Sequence, residues 1–308
     1  MRIIEKCLWF LCGALVLCTA LLCLPMVHAE NRCTNPQPAI GLSRSRNTTA
    51  SPVCATSAPP QTTSARPTRD ATPAINNKTD YHIDLSTLAA PTFSPIPGNP
   101  AVLIVHTHGS EAYTPDEEYP YTPTDTDRTD DPAYNMIRPG HALAALLNAQ
   151  GIVTLHDETL HDDPSYSGSY SRSLRTVESY LSENPSIQLV IDLHRDAFIY
   201  EDGTRLRTVC QVDGEDAARI MLVVGTDAGG LIHPGWESNL GTALALQRQL
   251  EELAPGITRP VDLRRERFNQ HVSGGALIVE LGASGNTLGE ALRSVSVLAD
   301  AIVQILGT

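Results

Sequence analysis

AVLIVHTHGSEAY, residues 101–113, drives a run of aliphatic side chains into two histidines and a glutamate. An apolar run without polar alternation is the pattern of a strand buried on both faces, which arises in parallel sheets covered by helices. Two further stretches repeat the design: IQLVIDLHRD at 187–196 and ALIVELG at 276–282. Each ends in residue types that do chemistry. The first gives His106, His108 and Glu111, the second Asp192, His194, Arg195 and Asp196, and the third Glu280.

Helical spacing separates these strands. HALAALLNA (141–149) stops at Gln150-Gly151, and 171–181 places Leu174, Val177 and Leu181 on one face. The segment 236–253 repeats Leu240, Leu244 and Leu250 and closes at Pro255-Gly256. Thr287-x-x-Glu290 is a capping box that opens a last helix. Residues 152–155 read as a short strand, and 205–212 with 219–224 as a pair of strands. Strands alternating with helices define an α/β fold class: three layers, with a mostly parallel sheet and helices on both faces. In such a sheet the carboxyl ends of strands share one edge, where ligands bind. Residues far apart in sequence are therefore expected to converge there.

Outward from this core the chain of 308 residues changes character. Residues 1–29 begin with Arg2 and Lys6 and continue as an apolar run over 7–27. That run is long enough to cross a bilayer, and Val27-His28-Ala29 would also serve as a cleavage site. On either reading the bulk of the chain is exported. Residues 30–100 are rich in Thr, Ser, Pro and Ala and are expected to be a disordered linker. Residues 101–308 are expected to be the catalytic domain, with Cys210 as its one cysteine. A net charge of −13 argues against nucleic acid as a partner. Walker, G-x-G-x-x-G and G-x-S-x-G motifs are absent.

Two imidazoles and one carboxylate make a zinc site that keeps a fourth position open, and a second carboxylate beside it can take a proton. His106 and His108 fall on one side of an extended strand, so spacing leaves the choice of first ligand open. Plainer roles also exist: Asp192 can orient a neighbour, and Arg195 with Asp196 can form an ion pair. Glu280 fits a plain role less well, because a carboxylate in a central strand is costly unless partnered or functional.

The stretches HTHGSEAYTP, HDDPSYSGSYSRSLRTVESYL, IDLHRD, VVGTD, HPGWESNL and RFNQHVSGGALIVELGASGNTLGEAL together resemble the stage II sporulation protein P family. The resemblance runs from about residue 101 to 306 in consistent order. It implies a membrane-anchored zinc amidase of the cell wall, similar in fold and mechanism to N-acetylmuramoyl-L-alanine amidases. Some members also cut peptide cross-links. The implied substrate is peptidoglycan, and the implied partners are stage II sporulation proteins D and M, during engulfment. The implied location is the cell membrane, with residues 1–29 as a single anchor and the catalytic domain facing the wall.

Carried onto this sequence, the resemblance makes His108, Glu111 and His194 the Zn2+ ligands and Glu280 the catalytic carboxylate. His108 is preferred because His-Gly-Ser is similar to the amidase His-Gly-Gly turn. Where amidases open the following helix with a carboxylate ligand, this chain has AYNMIRPGH with Asn135, so the role passes to Glu111. Arg195 is expected to assist at the oxyanion, and His106, Asn269 and Gln270 to contact substrate. Two alternatives stand beside this reading. One is a metallo-phosphoesterase with Asp192 and Asp196 bridging two ions; the other is a non-catalytic peptidoglycan-binding module.

Overall fold

Every residue of VLIV at 102–105 is buried, and seven of the eight residues in LVIDLHRD are buried too. A computed structural model describes residues 73–89 and 91–307. Its strands are β1 (Ile75–Asn77), β2 (Val102–Val105), β3 (Thr154–His156), β4 (Leu189–Asp196), β5 (Val209–Val212), β6 (Glu215–Ala218), β7 (Ile220–Gly225), β8 (Val261–Arg264) and β9 (Ala276–Ala283). Its α-helices are α1 (Ile137–Ala149), α2 (Ser169–Glu183), α3 (Trp236–Leu253) and α4 (Leu288–Leu306), and a 3-10 turn spans Gln270–Val272.

Seven strands form one sheet in the order β1-β8-β7-β9-β4-β2-β3. All neighbours are parallel except β7 and β9. The sheet is therefore mixed and mostly parallel, and β2, β4 and β9 end at the same edge. Alternation sorts the two faces. Val102, Ile104, Leu189, Ile191, Leu193, Leu277 and Val279 pack with α1, α3 and α4. On the other face Leu103, Val105, Val190 and Ala276 pack against Val177 of α2. Helices cover both faces, as the α/β reading expects. The capping box at Thr287 and Glu290 is present, and α4 ends at Gly307 with φ +72°.

Three sequence expectations need correction. The strands expected at 205–212 and 219–224 do not pair with each other. β5 instead pairs with β6 through Asp213-Gly214, both at positive φ, as a tight hairpin requires, and β7 enters the main sheet against β9. β8 had no sequence-based counterpart. The linker was expected to reach residue 100, yet β1 is a strand of the sheet, parallel to β8. Asn76 Nδ2 donates to Asp262 Oδ1 at 2.8 Å and Lys78 Nζ to Oδ2 at 2.9 Å. Ser94 exchanges two 2.7 Å hydrogen bonds with the Gln188 side chain. The folded region thus begins by Ile75.

Truncation at Ala101 removes two of the donors to a buried carboxylate and exposes the edge of β8. It is expected to cost about 1–3 kcal/mol relative to a chain starting at Pro73. Equal urea midpoints for the two chains would show that β1 contributes nothing.

Among the described residues no helix is long and apolar enough to cross a membrane. The apolar run 7–27, most of the linker, and Cys33 and Cys54 lie outside the described residues.

Candidate active site

The face shared with α2 explains why the site forms where it does. Along β4 the positions on that face are Val190, Asp192 and His194; along β9 they are Ala276, Ile278 and Glu280. The apolar members lie under cover, and the polar members follow at the carboxyl edge. His194 and Glu280 are register partners on adjacent parallel strands, so their side chains stand side by side. Immediately afterwards the pairing shifts, with Asp196 opposite Ala283. Gly282 sits in this irregularity at φ +74°, and a Cβ there would lie 2.8 Å from Ala218 Cβ and from Asn286 Oδ1. Bulges of this kind end pairing and re-aim side chains beside sites.

β2 ends at Val105, so His106 and His108 follow the strand and need not share a side. The His108 ring stacks on Tyr166 at 4.2 Å and meets the His194 ring edge-on at 5.3 Å. Its Nδ1 is buried and has no hydrogen-bond partner. Burial lowers its pKa to about 4, so the ring is neutral at physiological pH. Glu111 follows in a turn whose N–H bonds back to the His108 carbonyl at 3.2 Å. Its Oε2 lies 3.4 Å from His194 Nδ1, and its Oε1 lies 3.5 Å from Arg128 Nη2 and 3.7 Å from Arg195 Nη1. Burial would raise its carboxyl, but Arg195 and then His194 pull it down to about 2.

His194 lies between two carboxylates. Its Nε2 is 2.8 Å from Asp192 Oδ1, without the alignment of a hydrogen bond. Burial opposes charge on this imidazole, yet Asp192 and Glu111 together hold its pKa well above the ordinary value. Asp192 accepts from Thr107 N at 2.7 Å and from Thr107 Oγ1 at 2.6 Å. Thr107 Oγ1 in turn lies 2.8 Å from Ser173 Oγ, which accepts from Asn269 Nδ2 at 3.0 Å. A hydrogen-bonded chain from Asn269 to Asp192 therefore orients the carboxylate against His194.

Glu280 Oε2 is buried without a partner. Burial raises its pKa to about 8, with His194 opposing and Glu111 and Asp196 adding to the rise. A carboxyl near 8 is poised to exchange protons at neutral pH.

Four expected assignments change. His106 was expected to contact substrate, but it is fully buried, with Nδ1 3.0 Å from the Leu193 carbonyl and Nε2 2.8 Å from His156 Nε2. Gln270 is buried and completes the backbone of β7, accepting from Gly225 N at 2.7 Å and donating to the Val223 carbonyl at 2.8 Å. It precedes the amino end of β9, at the edge opposite Glu280. Asn269 Nδ2 is occupied by the Tyr170 carbonyl and Ser173 Oγ, which gives that amide nitrogen a positioning role. Arg195 is buried and donates to the carbonyls of Ala112 at 2.9 Å and Asp127 at 2.7 Å. Its guanidinium is thereby committed to the loop carbonyls and lies 3.7 Å from Glu111 Oε1.

Sequence reasoning assigned no role to Tyr166, Tyr170 or Arg128. Tyr166 and Tyr170 flank His108, and the Arg128 guanidinium lies 5.2 Å above the Tyr166 ring. The one signal for the two tyrosines was the SYSGSYSR run, which places them close together at the start of α2, and Arg128 had none.

Donor types match zinc, and His108 Nδ1 and Glu280 Oε2 are buried atoms that cost stability unless something completes them. The donors of His108, Glu111 and His194 do not all lie within 4.8 Å of one another; among the described residues only His141, His156 and Glu158 meet that spacing. The set fits zinc in donor type and unsatisfied atoms, with Glu111 and His194 held by their carboxylate and guanidinium neighbours.

Imidazoles and carboxylates gathered at the carboxyl ends of central strands define an α/β domain with an acid–base centre at its ligand-binding edge. The family model for Stage II sporulation protein P (SpoIIP) matches residues 43–303, and the chain belongs to that family. A curated relative, Stage II sporulation protein P of Bacillus subtilis (strain 168), is 28% identical over 210 residues, which cover 65% of this chain and 49% of the relative. The chain thus spans about half the length of that relative. Three solved amidases are also similar. N-acetylmuramoyl-L-alanine amidase AmiC2 of Nostoc punctiforme is 13% identical, covering 68% of this chain and 96% of its own, with TM-score 0.37. The N-acetylmuramoyl-L-alanine amidase from Clostridium difficile 630 is 15% identical, covering 68% and 95%, with TM-score 0.35. Ami1 from Mycobacterium abscessus is 14% identical, covering 68% and 98%, with TM-score 0.38. At these scores the likeness carries no argument about the site.

Proposed function

We propose that the chain is a zinc-dependent N-acetylmuramoyl-L-alanine amidase that trims peptidoglycan during sporulation engulfment. The observation that carries this reading is the register pair of His194 and Glu280, with the bare nitrogen of His108 beside it. Family membership supports the substrate class. His108, Glu111 and His194 would hold the ion. Zinc, when bound, supplies a Lewis acid that polarises the amide carbonyl and acidifies water.

The chain's own residues do the rest. Glu280, whose carboxylate stands beside His194, takes a proton from the attacking water and returns it to the departing amine as the C–N bond breaks. Asp192 and Thr107 fix the His194 ring. Arg195 and Arg128 fix Glu111. Phe198, Ile199 and Tyr200 are exposed on the loop leaving β4 and offer apolar surface at the same edge for a sugar or peptide face.

Anchoring through residues 1–29, a catalytic domain facing the wall, joint action with stage II sporulation proteins D and M, and additional endopeptidase action belong to the same proposal. The phosphoesterase alternative finds little support. Asp192 is occupied by Thr107, and Asp196 accepts from Arg259 at 2.8 Å. Neither carboxylate is free to bridge two ions.

Stripping metal with a chelator is expected to reduce release of soluble material from purified peptidoglycan by at least about 100-fold, and zinc should restore it. Full hydrolysis by chelated, metal-free protein would remove zinc from the mechanism. A protein that binds the wall with zinc present but never solubilises it would be the non-catalytic module.

A further inference from the structure

A second set of ligand-type side chains meets at the free edge of the sheet. β3 is the edge strand. His156 ends it, Glu158 lies two residues beyond, and His141 projects from α1. Their donor atoms lie within 4.8 Å of one another. His141 Nε2 is 3.0 Å from Glu158 Oε1, and the His141 and His156 rings meet edge-on at 5.0 Å.

Hydrogen bonding fixes which nitrogen His156 presents. The Leu193 carbonyl only accepts, so His106 Nδ1, 3.0 Å away, carries the hydrogen. Fully buried between Leu193 and His156, the His106 ring is neutral, which leaves its Nε2 a bare acceptor. His156 Nε2, 2.8 Å away, must then be the donor. On a neutral His156 this leaves the lone pair on Nδ1, and that atom is buried without any hydrogen-bond partner. A ring that donates from one nitrogen to a fixed acceptor and bares the other is the usual arrangement of a metal-ligating histidine.

Gly140 is part of the arrangement. A Cβ there would lie 2.5 Å from His156 Nε2 and 2.6 Å from His106 Nε2. The turn of α1 that carries His141 is pressed against the two rings, and this close approach accounts for a glycine inside the helix despite its cost.

We propose that His141, His156 and Glu158 form a second divalent-metal site, separate from the active site. Two imidazoles and one carboxylate select a zinc-class transition ion over the oxygen-seeking magnesium and calcium. His141 and Glu158 have side chains 54% and 52% exposed, so water can complete the coordination. The ion ties the edge strand to α1. Through His156 and His106 it also steadies the Leu193 carbonyl, one residue before His194.

The test is metal content. The full-length chain is stripped, given excess zinc, separated from free ion, and its zinc per chain is measured beside the His141→Ala, Glu158→Gln and His194→Ala variants. Melting curves with and without zinc serve as a second readout. His141→Ala and Glu158→Gln are each expected to hold one zinc fewer than the wild type. His194→Ala is expected to retain the edge ion and still gain melting temperature with zinc. Loss of one equivalent in His141→Ala but none in His194→Ala supports the edge site and sinks the active-site zinc. Loss in His194→Ala alone, with His141→Ala matching the wild type, overturns the edge site and leaves the active-site reading standing.

Discussion

Glu280→Gln is expected to lower turnover by about 10²–10⁴-fold while zinc content stays at the wild-type level. Glutamine keeps the shape of the side chain and its place beside His194 on the neighbouring strand, but it cannot accept a proton from water. Because Glu280 is outside the proposed ligand set, metal should remain. Stability separates the catalytic role from a structural one. In the metal-free protein burial raises the Glu280 carboxyl from its ordinary 4.5 to about 8. The sign follows from proton counting: between those two values the folded chain holds a proton that the unfolded chain has lost. Wild-type stability therefore falls as pH rises from 4.5 towards about 8. The glutamine variant escapes that loss, so it should match the wild type near pH 4.5 and exceed it by up to a few kcal/mol at pH 8. Denaturant melts of metal-free protein at the two pH values check this. A glutamine variant that melts lower than the wild type and hydrolyses peptidoglycan normally would mark Glu280 as a structural partner.

His194→Ala is expected to abolish hydrolysis and weaken zinc binding at the active site beyond the about 10–100-fold typical of losing an outer partner. The backbone should survive the change, since Leu189, Ile191 and Leu193 anchor β4 from the opposite face. A lower melting temperature is still expected in the metal-free variant. Asp192 and Glu111 both rest against His194, and each is held at about 2 partly by that imidazole. Without it, two buried carboxylates lose a cation. Far-ultraviolet circular dichroism, melting and zinc content together check the variant. Unchanged zinc binding at the active site would show that His194 is no ligand.

Much of this was legible in the sequence, for definite reasons. Strands buried on both faces leave unbroken aliphatic runs, so β2, β4 and β9 announced themselves. The period of two along β4 and β9 then placed His194 and Glu280 together. β8 was missed because VDLR carries charges whose partners, Asn76 and Lys78, lie 186 and 184 residues away from Asp262. The same pairing hid β1 inside what read as a linker. His106 and His108 could not be told apart by alternation, because the strand stops at Val105 and alternation stops with it. Arg195 neighbours His194 in sequence, yet consecutive strand residues face opposite ways, which turns its guanidinium towards the carbonyls of Ala112 and Asp127. Asn269 and Gln270 stood close to the Glu280 strand in sequence. They precede its amino end, and Glu280, the fifth residue of β9, lies roughly 13 Å further along the strand.

The most direct test of the account is the mass of the fragments that the full-length, zinc-loaded chain releases from purified peptidoglycan. Cleavage of the bond between the lactyl group and the stem peptide should give glycan with free lactyl carboxylates and peptides with a free L-alanine amine, each side sharing one added water. Glu280→Gln should give neither above background. Fragments in which every stem peptide remains attached to muramic acid would contradict the assignment.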